Sequence, residues 1–483
     1  MRDDVSALLG DELNIEPFEI ETTVKSDRCC EWNATNYHAA LLCLLNIFLF
    51  ADQNLLAPNL TEIANEFGLS PVERDRKLGG DIALAFFAVG AASSLFFGYL
   101  GDSVNRNIAL ACVVFAGELA CLCTYWVTTY NQLIALRALT GISIGGSVPL
   151  VYSLFGDMYG NSNRGLITSL AGVAMGFGVG MGQIIAGLTS PWRIPFLIIP
   201  PPAFIVAVLL VTTTTEPKRG VQEEVLSDES GKADFHYAEK INAHKLKRLL
   251  QSPSFMLLLA QGLPGSLPWG TMIVYFNDFL SQELGFTVQQ STLIVLCYGI
   301  GIIVGQLSSG YLVDSWFRHH KKLIALFIGS CTILGAVPVI FLLYLPRKEL
   351  WVYCITCLPS GAIAGVSGAA IRTLLLNITV PETRGTAFAL LNVVDDIGRG
   401  LGPFFVSLII QALPDNRREA LVLSMSGWLV CGMFLMSLAF TLERDVYKAE
   451  EHTLEAYLAK SGLLGDRLRT RILQNGEENL VME

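Results

Sequence analysis

The chain has 483 residues, 52% of them hydrophobic and 16% charged, with a mean hydropathy of +0.49 and a formal charge of −10. A soluble protein carries about a quarter charged residues, so an ordinary water-soluble fold is excluded. The acidic surplus lies in the first 31 positions and the tail, which gives no sign of a nucleic-acid partner.

Residues 1–37 are polar and acidic, without the apolar core of a cleavable signal peptide. They are read as a cytosolic tail. Asp4-Val5-Ser6-Ala7-Leu8-Leu9 fits the acidic dileucine pattern that sorting adaptors read, or is a chance match of six residues. Cys29 and Cys30 are candidates for palmitoylation. Apolar runs long enough to cross a bilayer follow, over 38–57, 79–101, 107–127, 131–155, 164–188 and 194–214. A mixed-charge break at 215–253 contains the basic run Lys240–Arg248 and reads as a linker. Six more runs follow at 254–280, 289–313, 322–345, 350–378, 385–412 and 420–442, then a charged tail over 443–483. The expected architecture is an all-α membrane protein of twelve transmembrane helices in two pseudo-symmetric six-helix bundles, 38–214 and 254–442.

Orientation follows from Lys and Arg rather than from net charge. Of the 33, 22 fall on the side of the termini and central linker, 8 on the other side and 3 within spans. Both termini are therefore expected in the cytosol. Of three sequons, only Asn59-Leu-Thr61 falls on the opposite side, close to the first span. Eleven cysteines scattered mostly through the spans predict free thiols. Cys354 and Cys357 are spaced as CxxC, but inside a span and without a second pair, so packing is the reading and no metal is expected.

The chain repeats itself. GYLGDSVNR at Gly98–Arg106 returns as GYLVDSWFR at Gly310–Arg318, with Gly98, Asp102 and Arg106 matched by Gly310, Asp314 and Arg318. A second set recurs 220 positions on: Gly141 and Gly145 as Gly361 and Gly365, Arg164-Gly165 as Arg384-Gly385, and Gly178, Gly180 and Gly182 as Gly398, Gly400 and Gly402. Tandem halves in a hydrophobic chain point to a transporter.

GYLGDSVNR resembles the Gly-x-Leu-x-Asp-x-x-x-Arg loop between the second and third spans of the major facilitator superfamily, with Asn105 where Gly is usual. Arg137-Ala-Leu-Thr-Gly141 is similar to that family's fourth-span motif, and the glycines at 176, 178, 180, 182 and 187 to its fifth-span motif, with Gln183 where Pro is common. Pro-Glu-Thr-Arg-Gly at 381–385 is another family phrase. Within the superfamily, Asn46-Ile-Phe-Leu-Phe50-Ala-Asp52 and Pro191-Trp-Arg-Ile-Pro-Phe196 resemble the spinster-like branch, associated with lysophospholipids and sphingolipids. The chain departs from it at Gln53, where that branch has Arg, and at Gly146, where it has Glu. The resemblance implies alternating access around a midplane site, with spans one, four, seven and ten lining the central cavity.

Charged groups at bilayer depth are costly and usually face a partner or a wet cavity. Asp52 and Arg137 lie at comparable depth, so they could meet in that cavity, as a proton-coupling pair or as a fixed pair aligning helices. Asp395, Asp396 and Arg399 crowd span eleven, with Asp395 and Arg399 at i,i+4 and Asn392, Asp396 and Arg399 near one stripe at i, i+4, i+7, as a gate, a binding group or a structural triad. Glu118 has no partner that the sequence names, and Arg372 is expected to snorkel. Span seven, Gln261 to Gly270, is rich in Gly and Pro and is expected to bend. Asn46, Gln53, Gln261, Trp269, Tyr275 and Asn277 are candidate cavity-lining residues.

These features predict a secondary active transporter of a small organic or amphipathic lipid-derived solute, proton-linked, acting as a monomer without a cofactor. A lysosome-type or vacuolar membrane is expected, or else the plasma membrane. An uncoupled facilitator of a sugar or other polar metabolite, and a transporter-like receptor or scaffold, are the alternatives. An enzyme is not expected, because there is no G-x-S-x-G elbow, P-loop or H-E-x-x-H site.

Overall fold

The computed structural model describes residues 34–160, 163–220, 222, 243–317, 320–345, 349–412 and 417–460, without the side chains of 243–245, 288, 314 and 454–460. The dileucine at Asp4–Leu9, Cys29 and Cys30, Arg318 and the side chain of Asp314 lie outside the described residues. Contacts divide the chain into residues 1–37 and one compact unit, His38–Glu483. The second of these is described here.

All elements among the described residues are helical. Among the described residues, ten helices are long and apolar enough to cross a membrane. They are Ala34–Glu66, Pro71–Gly101, Arg106–Trp126, Tyr130–Met158, Arg164–Leu188 and Pro195–Thr213, then Gln289–Phe317, Lys321–Tyr344, Leu350–Ile378 and Arg417–Phe440. These are spans one to six, eight to ten and twelve. Span seven is Pro253–Thr271, continued by a π-helical turn at Met272–Phe276 and by Asn277–Gln282. Span eleven is Arg384–Ala412. Both are as long as the rest but more polar, one through its Gly-Pro-rich stretch and the other through Asp395, Asp396 and Arg399. The bend expected in span seven takes the form of that π turn, which follows Pro264 and Pro268.

The two halves pack by the same plan. In the first, span two lies on span four, and span three on spans four and six; in the second, span eight lies on span ten, and span nine on spans ten and twelve. The repeated glycines have matching tasks. A Cβ on Gly141 would strike the carbonyl of Phe86, and one on Gly361 would strike that of Tyr298. Small residues let helix backbones approach where lipid supplies no hydrophobic drive. The halves meet through spans two and eleven and through spans five and eight, a reciprocal exchange. Gly98 rests there on Ala389 and Gly385, and its repeat Gly310 on Ser169 and Gly165.

Beyond span twelve, the helix Leu442–Lys460 is tied to the start of span seven. Asp445 accepts hydrogen bonds from the Ser254 amide (2.8 Å) and the Ser252 hydroxyl (3.0 Å). Burial pushes the Asp445 carboxyl up, but the Ser254 and Ser252 donors and Arg444 outweigh it and hold it below the usual range. A depressed carboxyl stabilises the fold above its unfolded value, near 4, and loses that contribution as pH falls through its folded value. Asp445→Asn is therefore expected to lower thermal stability at neutral pH and to bring the difference from the parent toward zero in acid, read by thermal unfolding across a pH series.

Gly178 of span five lies against the Ile47 carbonyl of span one, whereas nothing stands within 4 Å of a Cβ on Gly176. Gly178→Val is expected to cost about 1–3 kcal/mol through overpacking, and Gly176→Val to leave the unfolding temperature of the purified protein close to the parent's.

Candidate transport site

Three layers of polar groups run through the bundle. At the face bearing the central linker (the loop face), Asp102 at the end of span two accepts from the Thr386 amide (3.1 Å) and hydroxyl (2.7 Å) across the halves. Arg106, fully buried, pairs with Asp157 (2.6 Å) and Glu216 (2.8 Å). Arg219 of the linker donates to the Asp102 and Gly101 carbonyls, satisfying the exposed end of a helix. Arg384 lies 3.6 Å from Asp157, and its repeat Arg164 donates to Asn377 (3.4 Å). Asp157 and Asn377 are also 220 positions apart, so the same bridge forms twice with opposite direction.

At the far face, Arg417 pairs with Asp278, which also faces Arg74 (3.4 Å). The Tyr275 hydroxyl donates to the Asp75 carbonyl (2.9 Å). This latch joins spans two, seven and twelve. Asp278, Arg74, Asp75 and Arg417 carry no sequence signal beyond their charge.

Between these layers is a cavity of about 310 Å³. Phe50, Tyr152, Trp269, Phe276, Tyr298 and Trp428 supply aromatic wall, and Gln53, Gln261, Gln306, Arg372, Asp395 and Arg399 supply polar groups. Trp269 packs against Tyr298 and Trp428, with ring centroids at 6.2 and 5.8 Å. The repeat is broken here. Tyr152, Met175 and Val179 of the first half face the cavity, and their counterparts 220 positions on are Arg372, Asp395 and Arg399. At these three places the charged residues all belong to the second half.

Of the two spacings in span eleven, the structure uses the stripe of Asn392, Asp396 and Arg399 rather than the Asp395–Arg399 pair. Arg399 bonds Asp396 at i,i+3 (2.9 Å), because Asn392 also holds Asp396 (2.8 Å) and turns it toward the guanidinium. Asp395 faces Arg372 instead (3.7 Å) and accepts from Ser266 (3.2 Å). Arg372 does not snorkel: it lies over the Tyr152 ring (4.9 Å), and its Nη1 has no hydrogen-bond partner. Asp396 points into the helix interface and is absent from the cavity wall.

Asp52 and Arg137 do meet, but inside the first half rather than in this cavity. The helix of span one ends at Asp52, and Arg137 donates to its freed carbonyl (2.8 Å) and lies 3.9 Å from its carboxylate. Arg137 also packs on Phe86 and Phe196 and borders a second cavity of about 60 Å³ that shares Gln53 with the first. Glu118, also fully buried, shares this cluster with Asp52 and Cys121. Gly146 lies against Ser93 and Val113, so no acidic side chain fits there. Three expected lining residues fall outside both cavities: Asn46 is buried within the first half, Tyr275 is committed to Asp75, and Asn277 donates to Thr292 (3.0 Å).

A family model described as the Major Facilitator Superfamily matches residues 42–403. The chain belongs to that superfamily. It is therefore a membrane transporter and not an enzyme. The relatives it matches include the sphingosine-1-phosphate transporter SPNS2 of Xenopus tropicalis, 23% identical over 91% of this chain and 88% of that protein. Human protein spinster homolog 1 is 23% identical over 89% of this chain and 85% of its own. Among solved structures, a bacterial homologue of the human lysosomal transporter Spinster, inward-facing and unoccupied, superposes with a TM-score of 0.64 at 18% identity. It covers 86% of this chain and 99% of that one. The human organic anion transporter MFSD10 gives 0.63 at 15% identity, over 83% and 99%.

The two polar layers bridge opposite faces of the bundle. A hydrogen bond to a charged group is worth about 1.5–3 kcal/mol, enough to shift a two-state population tenfold or more. Asp278→Ala is expected to open the far face and Asp102→Ala the loop face, read as opposite changes in the reactivity of a cysteine placed at Gln53 toward an impermeant maleimide added from one side.

Proposed function

We propose that this chain is a proton-linked carrier of an amphipathic, lipid-derived solute with an anionic polar end, working by alternating access. The observation that carries the reading is the two-faced cavity. An apolar tail fits against Met175, Val179 and the Trp269 cluster, while Arg372, which lies over Tyr152, and Arg399 face the polar end. The unpartnered Arg372 Nη1 is an open donor for an oxyanion, and exchange of Asp395 for a substrate anion would release that carboxylate. Relatives named as sphingosine-1-phosphate transporters and as spinster proteins support a lipid-derived cargo.

The proton link rests on Asp52, buried beside one guanidinium in a medium where an unneutralised charge costs at least about 2.5–3.5 kcal/mol. A lysosome-type membrane is the proposed location, on the Asp4–Leu9 signal and the likeness to a homologue of a lysosomal transporter.

Uptake into proteoliposomes of stated pH tests this reading. A single-chain lysolipid phosphate is expected to be accumulated faster with an imposed pH gradient, and a hexose not at all. Arg399→Ala should lower uptake about tenfold or more, and Asp52→Asn should flatten its pH dependence. Hexose uptake indifferent to the gradient would reject the proposal.

A further inference from the structure

The first-half cluster has a charge count that does not close. Asp52 and Glu118 are both fully buried, and all four of their carboxyl oxygens lack a hydrogen-bond donor. Carboxyl oxygens of the two acids and the Cys121 thiol lie within 4.8 Å of one another. The groups facing them are few. Span one gives Asp52 itself, span three Glu118 and Cys121, and span four Arg137 and Ser143. Spans two and six give Phe86 and Phe196, which pack on Arg137, and span five lays Gly182 against the Ala51 carbonyl beside Asp52. The Ser143 hydroxyl donates to the Thr140 carbonyl (2.8 Å) and so is spent. Arg137 directs its best bond to the Asp52 carbonyl, with the carboxylate at 3.9 Å. Two carboxylates against one guanidinium leave one negative charge at bilayer depth and unmet acceptors on both acids.

From this geometry we infer that Asp52 and Glu118 hold one proton between them, so that Glu118, not Asp52 alone, sets the proton affinity of the carrier. One O–H, carried by either acid and donated to the other, neutralises the surplus charge and satisfies an acceptor on each side. Adjacent carboxyls that share a proton titrate as a pair. A metal cation fits less well, because neither described cavity reaches Asp52 or Glu118 and a guanidinium already stands against the site. The small cavity beside Arg137 and Gln53 brings water or solute within one side chain of the pair.

The inference deepens the proton-linked reading, and its transport arm rests on that reading. Infrared difference spectra of the purified protein over a pH series read the carbonyl stretch of protonated carboxyls. The wild type is expected to show one such band that both Asp52→Asn and Glu118→Gln move, each lowering its pH midpoint by about one unit or more, and that the double variant lacks. In proteoliposomes, Glu118→Gln is expected to lose the gradient-driven part of uptake, and its solute-induced thermal shift should no longer vary with pH. A band unmoved by Glu118→Gln, or gradient-driven uptake intact in that variant, overturns the inference while leaving proton-linked transport standing. A wild type indifferent to the gradient overturns proton-linked transport instead, and the spectra then decide the shared proton by themselves. Stabilisation by sodium over choline chloride that Glu118→Gln abolishes would also overturn it, in favour of a bound cation. Glu118→Gln preserves side-chain volume; if it does not fold, Asp52→Asn puts the same spectral question to the other acid.

Discussion

Charge in this molecule is governed by the cost of holding it away from water. Arg106, Arg137, Arg164 and Arg384 are all among its largest fully buried side chains, and an ionised group held away from water is tolerated only with a partner. Each of the four therefore fixes helices together: Arg106 joins spans three and four to the linker, Arg137 closes the end of span one, and Arg164 and Arg384 reach across the halves. The glycine contacts bring backbones close, but the ionic groups determine which backbones stay close. The two surface layers are latches because the same rule applies there, where a broken pair can find water.

The repeat supplies a second constraint. Duplicated halves give duplicated contacts wherever a residue serves packing, as with Gly141 and Gly361 or Gly98 and Gly310. Where the side chains diverge, packing no longer explains them. Tyr152 against Arg372, Met175 against Asp395 and Val179 against Arg399 occupy matching places on facing walls of one cavity. The symmetric frame holds the cavity at the seam between halves, and the broken symmetry makes it two-faced.

Much of this could be read from the chain. Span positions followed from apolar run length, because a bilayer sets that length independently of tertiary packing. The repeated Gly-Leu-Asp-Arg phrase located the contacts between halves. What spacing could not supply was the direction of each charged side chain. Asp395 and Arg399 satisfy the i,i+4 rule, yet Asn392 holds Asp396 toward Arg399, and Arg372 comes in from span ten to take Asp395. Glu118 met Asp52 only through the packing of spans one and three, and no local pattern encodes that. Tyr275 read as a cavity aromatic, but the π turn at Met272–Phe276 rotates it onto the far-face latch.

The latches also bear on how a carrier of this design would move. Both faces are bridged at once in this structure, by Asp102 to Thr386 at one and by Asp278 to Arg417 and Arg74 at the other. Opening either face breaks a few bonds to charged groups, each worth about 1.5–3 kcal/mol, and water reclaims part of that cost. The two losses are similar in kind. Under the proposed mechanism, a substrate anion displacing Asp395 from Arg372, or a proton neutralising the first-half cluster, would act on bonds of the same size. Ligands of that kind would then decide which face opens, which a carrier with one face held far more strongly would not allow.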